Sequence, residues 1–181
     1  MKLALYGGSF DPPHAGHVRI VTEALKVLPV DRLIIVPASL NPFKTTVRAN
    51  SKVRYQWLKT IFADYQNVEI SDFEIRQNRS TPTIETVEYY ANFYEEIYLI
   101  IGADNLEKLQ QWHRFDELNR MVHWVVASRG EISIPKNMIS LTINEKISST
   151  DFRTSFSSLG LEPTIENEII TYYKELNESE N

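Results

Sequence analysis

Short apolar runs alternate with helical patterns along this chain, and this alternation limits the fold more than any other feature of the sequence. The runs predict strands at residues 2–6, 33–37, 67–72, 96–101 and 122–127. The helical patterns lie at about residues 15–28, 51–64 and 83–94, between 104 and 120, and at about 163–176. Such alternation is typical of βαβ units, which form a mostly parallel sheet. We therefore predict an α/β fold, a Rossmann-like doubly wound parallel sheet with helices on both faces.

The composition is that of a globular protein. Of the 181 residues, 43% are hydrophobic and 24% are charged, which suits a single domain over residues 1–181. The formal net charge of −5 argues against a nucleic-acid partner, because non-specific binding needs a basic face. The apolar runs are too short to cross a membrane, no signal peptide precedes the first strand, and cysteine is absent. We expect a soluble cytoplasmic protein, monomeric or homodimeric, with no membrane partner.

The first predicted strand leads into a loop rich in glycine, proline and histidine, GGSFDPPHAGH at residues 7–17. Gly7 and Gly8 permit a sharp turn and the close approach of a ligand to the backbone. The helix that follows adds unpaired N–H groups and the positive end of its dipole, which favour an anion. His14 and His17 lie one helical turn apart, so both imidazoles can donate to neighbouring oxygens of one polyphosphate.

Simpler explanations fit single parts of this loop. A glycine pair after a strand is often a tight turn, and two histidines at helical spacing can be a metal pair or a surface pair. A structural zinc site would need more soft ligands, and the chain has no cysteine. Gly16 lowers helix stability between the histidines, and we interpret it as space for a nucleotide. The combination favours a phosphate-binding loop.

GGSFDPPHAGH resembles the signature of the nucleotidylyltransferase superfamily, which has HxGH at the start of its first helix. In this extended form it resembles the bacterial nicotinate-nucleotide adenylyltransferase family. The resemblance implies transfer of AMP from ATP to nicotinate mononucleotide, giving nicotinate adenine dinucleotide and pyrophosphate in NAD biosynthesis. It also implies Mg²⁺ that is carried by ATP, and no metal site of the protein's own.

Later segments continue the resemblance. They are the PxxxxPxK pattern at 37–44, GADN at 102–105, QWH at 111–113 and ISSTDFR at 147–153. After the third strand, Gln77, Thr81 and Pro82 replace an arginine, a serine and a tyrosine of the family pattern ExxRxxxSYT, whereas Thr83 matches it. Thr81 followed by Pro82 also predicts a helix cap and first turn there.

The loop chemistry and the resemblance together give a set of candidate site residues. The expected catalytic residues are His14, His17, Lys44 and Arg153. The expected ATP-binding residues are Gly7, Gly8, Ser9, Phe10, His14, His17, Gly102, Asp104, Ser128, Arg129, Ser148, Ser149 and Thr150. The expected nicotinate nucleotide-binding residues are Asn41, Lys44, Thr83, Trp112 and His113.

Some of these positions have structural alternatives. Asp104 could be a helix N-cap, and Trp112 could be a core residue that makes no ligand contact. Arg54, close to the predicted substrate loop, is interpreted as an ordinary surface or ion-pair residue.

Three classes of rival function are a related nucleotidylyltransferase, a non-catalytic regulator and an oxidoreductase. A pantetheine-phosphate adenylyltransferase, a cytidylyltransferase or an enzyme that uses nicotinamide mononucleotide would also have HxGH, and a non-catalytic nucleotide-binding regulator could keep the loop. A dinucleotide-dependent oxidoreductase is disfavoured because GxGxxG does not follow the first strand.

Overall fold

The computed structural model describes residues 1–40, 49–130 and 132–181, and these residues contain one six-stranded sheet. Its strands are β1 (Lys2–Gly8), β2 (Arg32–Pro37), β3 (Val68–Ile70), β4 (Glu96–Gly102), β5 (Val122–Ser128) and β6 (Ile139–Thr142). They are ordered β3-β2-β1-β4-β5-β6, and every neighbouring pair is parallel. The predicted α/β fold with a parallel sheet is therefore confirmed. The short edge strand β6 was not predicted.

Seven α-helices and one 3₁₀ helix accompany these strands within the described ranges. They are α1 (Ala15–Val27), α2 (Ser51–Ile61), α3 (Phe73–Gln77), α4 (Thr83–Ala91), the 3₁₀ helix (Ala103–Gln111), α5 (Phe115–Met121), α6 (Ser149–Ser155) and α7 (Pro163–Ser179). Each predicted helix has a counterpart, and α3 lies where none was predicted. Helix α1 ends just before Pro29, because proline cannot continue the hydrogen-bond ladder. None of the described helices is both long and apolar enough to cross a bilayer.

The sheet is buried on both faces, which explains why its strands are apolar rather than alternating. On β1, Ala4 and Tyr6 face a core that includes side chains of α1 and α2. Leu3 and Leu5 face a second core that includes side chains of α4 and α5. The fold is therefore doubly wound, with α1 and α4 on opposite faces of the sheet.

The strand order reverses between β1 and β4, because β2 and β3 lie on one side of β1 whereas β4, β5 and β6 follow on the other. In open parallel sheets, ligands bind outside the carboxyl ends of the strands at such a switch point. The loop after β1 and the turn after β4 meet there. The fold thus brings together two segments that are distant in sequence.

A third core joins the C-terminal helix to the rest of the molecule. Ile165, Ile169 and Tyr173 of α7 pack with Trp57 of α2 and Phe152 of α6. Together these contacts hold α6 and α7 against α2.

Candidate active site

A cavity of about 590 Å³ opens at the carboxyl ends of β1, β4 and β5. This volume is typical of a small-molecule site. One part of its wall, which we call the histidine end, consists of Gly7, Gly8, His17, Arg129 and Arg153. Another part, which we call the tryptophan end, consists of Glu74, Thr81, Thr83 and Trp112. Because α1 begins at the histidine end and α4 at the tryptophan end, the cavity spans the sheet edge between its two faces.

The two histidines form a hydrogen-bonded, stacked pair at the start of α1. His14 is the N-cap, and its Nδ1 accepts the N–H of Gly16 at 3.0 Å. The backbone N–H of His14 donates to Nδ1 of His17 at 3.1 Å, and the ring centroids are 3.8 Å apart. Since each Nδ1 is an acceptor, each neutral ring carries its proton on Nε2. The two imidazoles therefore lie next to each other, as their spacing in the sequence predicts.

Burial keeps both histidines uncharged. Burial, with a smaller contribution from the guanidinium of Arg129, lowers the pKa of His14 to about 3. The pKa of His17 is also well below its ordinary value, because of burial and then because of His14 and Arg129. His17 lies in the cavity wall, whereas His14 is 2% exposed and stacks behind it. The site thus offers neutral N–H donors rather than imidazolium cations.

Gly16 lies against the ring of His14. A Cβ atom at this position would lie 2.7 Å from Cε1 of this ring, so glycine leaves room for the first histidine of the motif. Gly16 also lines the cavity, and the predicted space for a nucleotide at this position stays a prediction.

Phe10 packs inside the loop, against Gly8 and His17. Its backbone has a positive φ of 48°, in the left-handed region that non-glycine residues rarely adopt. Its ring contacts His17 edge-on with centroids 4.8 Å apart, and a Cβ at Gly8 would lie 3.1 Å from this ring. Phe10 is 2% exposed, so its ring is mainly a support for Gly8 and His17.

Asp104 is not a helix N-cap. The 3₁₀ helix has Gly102 at its N-cap position, with no side-chain cap. The carboxylate of Asp104 instead turns back over Gly102, where a Cβ would lie 2.5 Å from Oδ1. Asn105 donates to the Gly102 carbonyl at 3.1 Å, and all three residues line the cavity. The structural alternative for Asp104 is therefore excluded.

Two arginines bring positive charge to the histidine end. Arg129 follows β5, and its Nη2 atom lies 3.5 Å from the Cβ position of Gly16. Arg153 of α6 donates to the carbonyl of Asp11 at 2.5 Å. Both side chains lie in the cavity wall, although they are far apart in sequence.

The segment 148–150 is only partly in the wall. Ser148 caps α6 by accepting the N–H of Asp151 at 3.0 Å, and Ser149 donates to the carbonyl of Pro12 at 2.7 Å. Ser128, Ser148 and Ser149 line the cavity, as does Ser9. Thr150 is exposed and lies outside this wall.

The helix at the tryptophan end, α4, has a different N-cap residue from the one predicted. Helix α4 begins at Thr83 with Pro82 at the N-cap, whereas Thr81 was predicted to be the cap. Thr81 is 3% exposed and its hydroxyl donates to the Arg79 carbonyl, and the backbone is still non-helical at Pro82. Thr83 and Trp112 line the cavity as predicted, but the exposed His113 does not.

The sequence prediction missed Glu74 as a wall residue. Glu74 is 8% exposed, and its carboxyl accepts the hydroxyl of Thr86 at 2.6 Å. Burial raises the pKa of this carboxyl to about 7, against the lowering effect of the Thr86 hydroxyl. Its place at the start of the segment that resembles ExxRxxxSYT was the available signal.

Arg54 was also misinterpreted. It is fully buried, with 0% exposure. Its guanidinium donates to the backbone carbonyls of Ser9 after β1, Ala38 after β2 and Ala49 before α2. A surface role is therefore wrong. The signal in the sequence was its spacing from Trp57 and Leu58, which places all three on one buried face of α2.

Asn41 and Lys44 lie outside the described residues. Within the described ranges, no group of three or more His, Cys, Asp or Glu side chains could hold a metal ion.

The comparisons with known proteins agree with this architecture. The cytidylyltransferase-like family matches residues 5–155. Probable nicotinate-nucleotide adenylyltransferases of Campylobacter jejuni and Sulfurimonas denitrificans are both 47% identical to this chain, over 97% and 96% of it and over 98% and 95% of their own lengths. The structure of Plasmodium falciparum nicotinic acid mononucleotide adenylyltransferase complexed with NaAD matches 96% of this chain and 97% of its own at 20% identity, with a TM-score of 0.75. The chain therefore belongs to the cytidylyltransferase-like family and, within it, to the nicotinate-nucleotide adenylyltransferases.

Proposed function

We propose that this protein transfers AMP from ATP to nicotinate mononucleotide, forming nicotinate adenine dinucleotide and pyrophosphate. The observation that carries the proposal is one cavity with two kinds of wall. The histidine end presents the His17 imidazole with the guanidinium groups of Arg129 and Arg153, and the tryptophan end presents Trp112 and the start of α4. Phosphates suit the first wall, and an aromatic acid suits the second.

The reaction needs alignment and charge neutralisation more than acid–base chemistry. A phosphate oxygen of the mononucleotide attacks the α-phosphorus of ATP, the bond from this phosphorus to the α–β bridging oxygen breaks, and pyrophosphate leaves with the electron pair. The attacking phosphate is already ionised at neutral pH, so it needs no general base. The enzyme has to hold the two substrates in line and stabilise the charge that gathers on the leaving group.

The histidines suit this task because they are neutral. His14 and His17 carry their protons on Nε2, and their lowered pKa values keep them uncharged at neutral pH. His17 can therefore donate to a phosphate oxygen, and His14 holds the loop and the ring of His17. Arg129 and Arg153 add the positive charge. We propose that Lys44 contributes a further cation and that Asn41 contributes an amide that can donate and accept hydrogen bonds.

At the tryptophan end, we propose that the pyridine ring stacks on Trp112 and that its carboxylate meets the first turn of α4. That turn has N–H groups without partners inside the helix, and these donate to a carboxylate but cannot accept from the NH₂ of an amide. Trp112 would stack on either ring, so the choice of the acid rests on the donors near Thr83.

A nucleotidyltransferase acting on ATP generally uses a divalent metal, and we propose Mg²⁺ carried by the triphosphate. The donors at the histidine end are N–H groups and guanidinium groups, which suit phosphate oxygens rather than a hard cation. Mg²⁺ is commonly held by substrate phosphates with few protein ligands. When bound, it would neutralise part of the charge on the triphosphate.

We further propose that residues 1–181 act as one nucleotidylyltransferase domain. Helix α7 lies beyond the family match at residues 5–155, but it packs on α2 and α6. A cytoplasmic location remains the proposal, since a chain without cysteine is compatible with a reducing compartment. A monomer or homodimer and the lack of a nucleic-acid partner also remain predictions.

Pyrophosphate release from ATP and Mg²⁺ with a panel of acceptors tests this function. The panel contains nicotinate mononucleotide, nicotinamide mononucleotide, phosphopantetheine and a buffer blank. We expect the highest turnover with nicotinate mononucleotide and no release in the blank. Preferred release with phosphopantetheine, or binding of ATP without release for any acceptor, would contradict the proposal and support one of the rival functions.

A further inference from the structure

The buried guanidinium of Arg54 joins three segments: the loop after β1, the segment after β2 and the segment before α2. Nη1 of Arg54 donates to the carbonyl of Ser9 at 2.5 Å, and Nε donates to that of Ala49 at 3.0 Å. Nη2 donates to the carbonyls of Ala38 at 2.8 Å and Ser39 at 3.3 Å. Four carbonyl oxygens thus meet one planar cation, which is fully buried and does not itself line the cavity.

The positive charge of Arg54 is balanced from the same loop. Burial lowers the pKa of the guanidinium, and the carboxylate of Asp11 opposes this effect. Asp11 also accepts the N–H of Ala49 at 3.0 Å and the hydroxyl of Tyr173. The loop after β1 is therefore fixed to the start of α2 through both a cation and an anion.

These bonds act directly next to the strained residue of the loop. The carbonyl of Ser9 immediately precedes Phe10, whose φ is 48°. Residues in this region of φ persist only where their surroundings hold them. The ring of Phe10 in turn contacts His17. A continuous path thus runs from Arg54 through Ser9 and Phe10 to the imidazole at the cavity.

We propose that Arg54 is a positioning residue for adenylyl transfer, which holds the Ser9 carbonyl and thereby fixes Phe10 and the ring of His17 at the cavity. The proposal rests on the function proposed above. Lysine could not replace arginine fully, because one ammonium group cannot reach four carbonyls in the arrangement that a planar guanidinium serves. A purely structural role would predict that any equally destabilising change in α2 has the same effect on activity.

The test compares R54K and R54Q with F62L. Phe62 is the C-cap of α2, 3% exposed and about two turns from Arg54, and it does not line the cavity. Steady-state kcat and KM for ATP are measured at a temperature where circular dichroism shows that each variant is folded. We expect kcat of R54K to fall roughly 10- to 100-fold with KM for ATP within about threefold, as for a small misplacement of reacting groups. F62L should lower Tm but keep kcat within about twofold of the wild-type value.

A second readout needs no turnover. The ¹⁵N signals of the His14 and His17 rings in the free protein should move in R54K and R54Q but stay in place in F62L. If kcat and these signals are unchanged in R54K, or if both Arg54 variants fail to fold while F62L folds, Arg54 is only structural and the proposal is wrong. A wild-type protein that is inactive with ATP and nicotinate mononucleotide would overturn the proposed function instead, and the histidine signals would still decide whether Arg54 positions the ring.

Discussion

The two ends of the cavity use different physical means to hold a ligand. The histidine end has guanidinium groups of Arg129 and Arg153 and a neutral imidazole donor on His17. Arg153 is held by the backbone carbonyl of Asp11, and His17 packs against the buried ring of Phe10. The tryptophan end has hydroxyl groups, an indole and the buried carboxyl of Glu74. Charge at one end suits a polyphosphate whose charge changes during the reaction. The other end carries less charge, because burial raises the pKa of Glu74 to about 7, and it suits recognition of a ring that does not react.

This difference separates rate from selection. A donor that faces growing charge acts on the transition state and so raises kcat, whereas a contact with a ring far from the reacting atoms stabilises ground state and transition state alike. Changes at the histidine end should therefore lower kcat for every acceptor. Changes at the tryptophan end should alter KM for the acceptor, or the ratio between acceptors.

The largest effect is expected for H17A. Loss of the Nε2–H donor should lower kcat by roughly 100-fold or more with both mononucleotides, as for removal of one preorganised donor, while KM for ATP changes little. Steady-state kinetics with each acceptor measure this change. An unchanged kcat with a raised KM for ATP would show that His17 only binds the ground state, and the division between the two ends would then be wrong.

The second effect is expected for W112A. Loss of the indole should raise KM for both mononucleotides roughly tenfold, because stacking on an aromatic side chain contributes about 1–3 kcal/mol for each base. The ratio of kcat/KM between the two acceptors should stay constant, and W112F should recover part of the affinity. A change in this ratio would mean that Trp112 selects the acid, in conflict with a choice that rests on the start of α4.

The third effect concerns stability rather than activity, and it involves Glu74. Its pKa is raised from the ordinary 4.5 to about 7 in the folded protein, so the folded state holds this proton more tightly than the unfolded chain. The free energy of unfolding should therefore fall as the pH rises from about 4.5 to about 7. E74Q lacks this titration, so the difference between wild type and E74Q should change by up to roughly 3 kcal/mol over this range.

Urea unfolding at pH 4.5 and pH 8 measures this change. The exposed carboxylate of Glu107 provides the control, since E107Q should follow the wild-type profile. Parallel profiles for wild type and E74Q would show that the carboxyl is ionised in the folded protein, and the tryptophan end would then be negatively charged at neutral pH.

The sequence was most informative where the site is local. The first strand, the first helix and the two histidines lie within one contiguous stretch, so spacing alone predicts their proximity. The edge strand β6 was missed because its four residues are too few and too exposed to give a clear apolar run. The cap at Thr81 was wrong because helix α4 begins at Thr83, so that Pro82 rather than Thr81 occupies the N-cap position.

Arg54 and Glu74 could not be identified from propensity, because their burial depends on distant segments. Arg54 donates to a carbonyl 45 residues away in sequence. Glu74, on α3, accepts the hydroxyl of Thr86 on the next helix, α4. A charged residue is normally exposed unless it is paired, and the partners here are assembled only by the tertiary structure.

Transfer of AMP to nicotinate mononucleotide is tested most directly by measuring kcat/KM of the wild-type protein for nicotinate and nicotinamide mononucleotide under the same conditions, with the dinucleotide product identified by mass spectrometry. We expect nicotinate mononucleotide to be used roughly 5- to 150-fold more efficiently, which corresponds to about 1–3 kcal/mol for one unpaired buried polar group. Equal or higher efficiency with nicotinamide mononucleotide would contradict selection of the acid at the start of α4, and the absence of either dinucleotide would contradict adenylyl transfer itself.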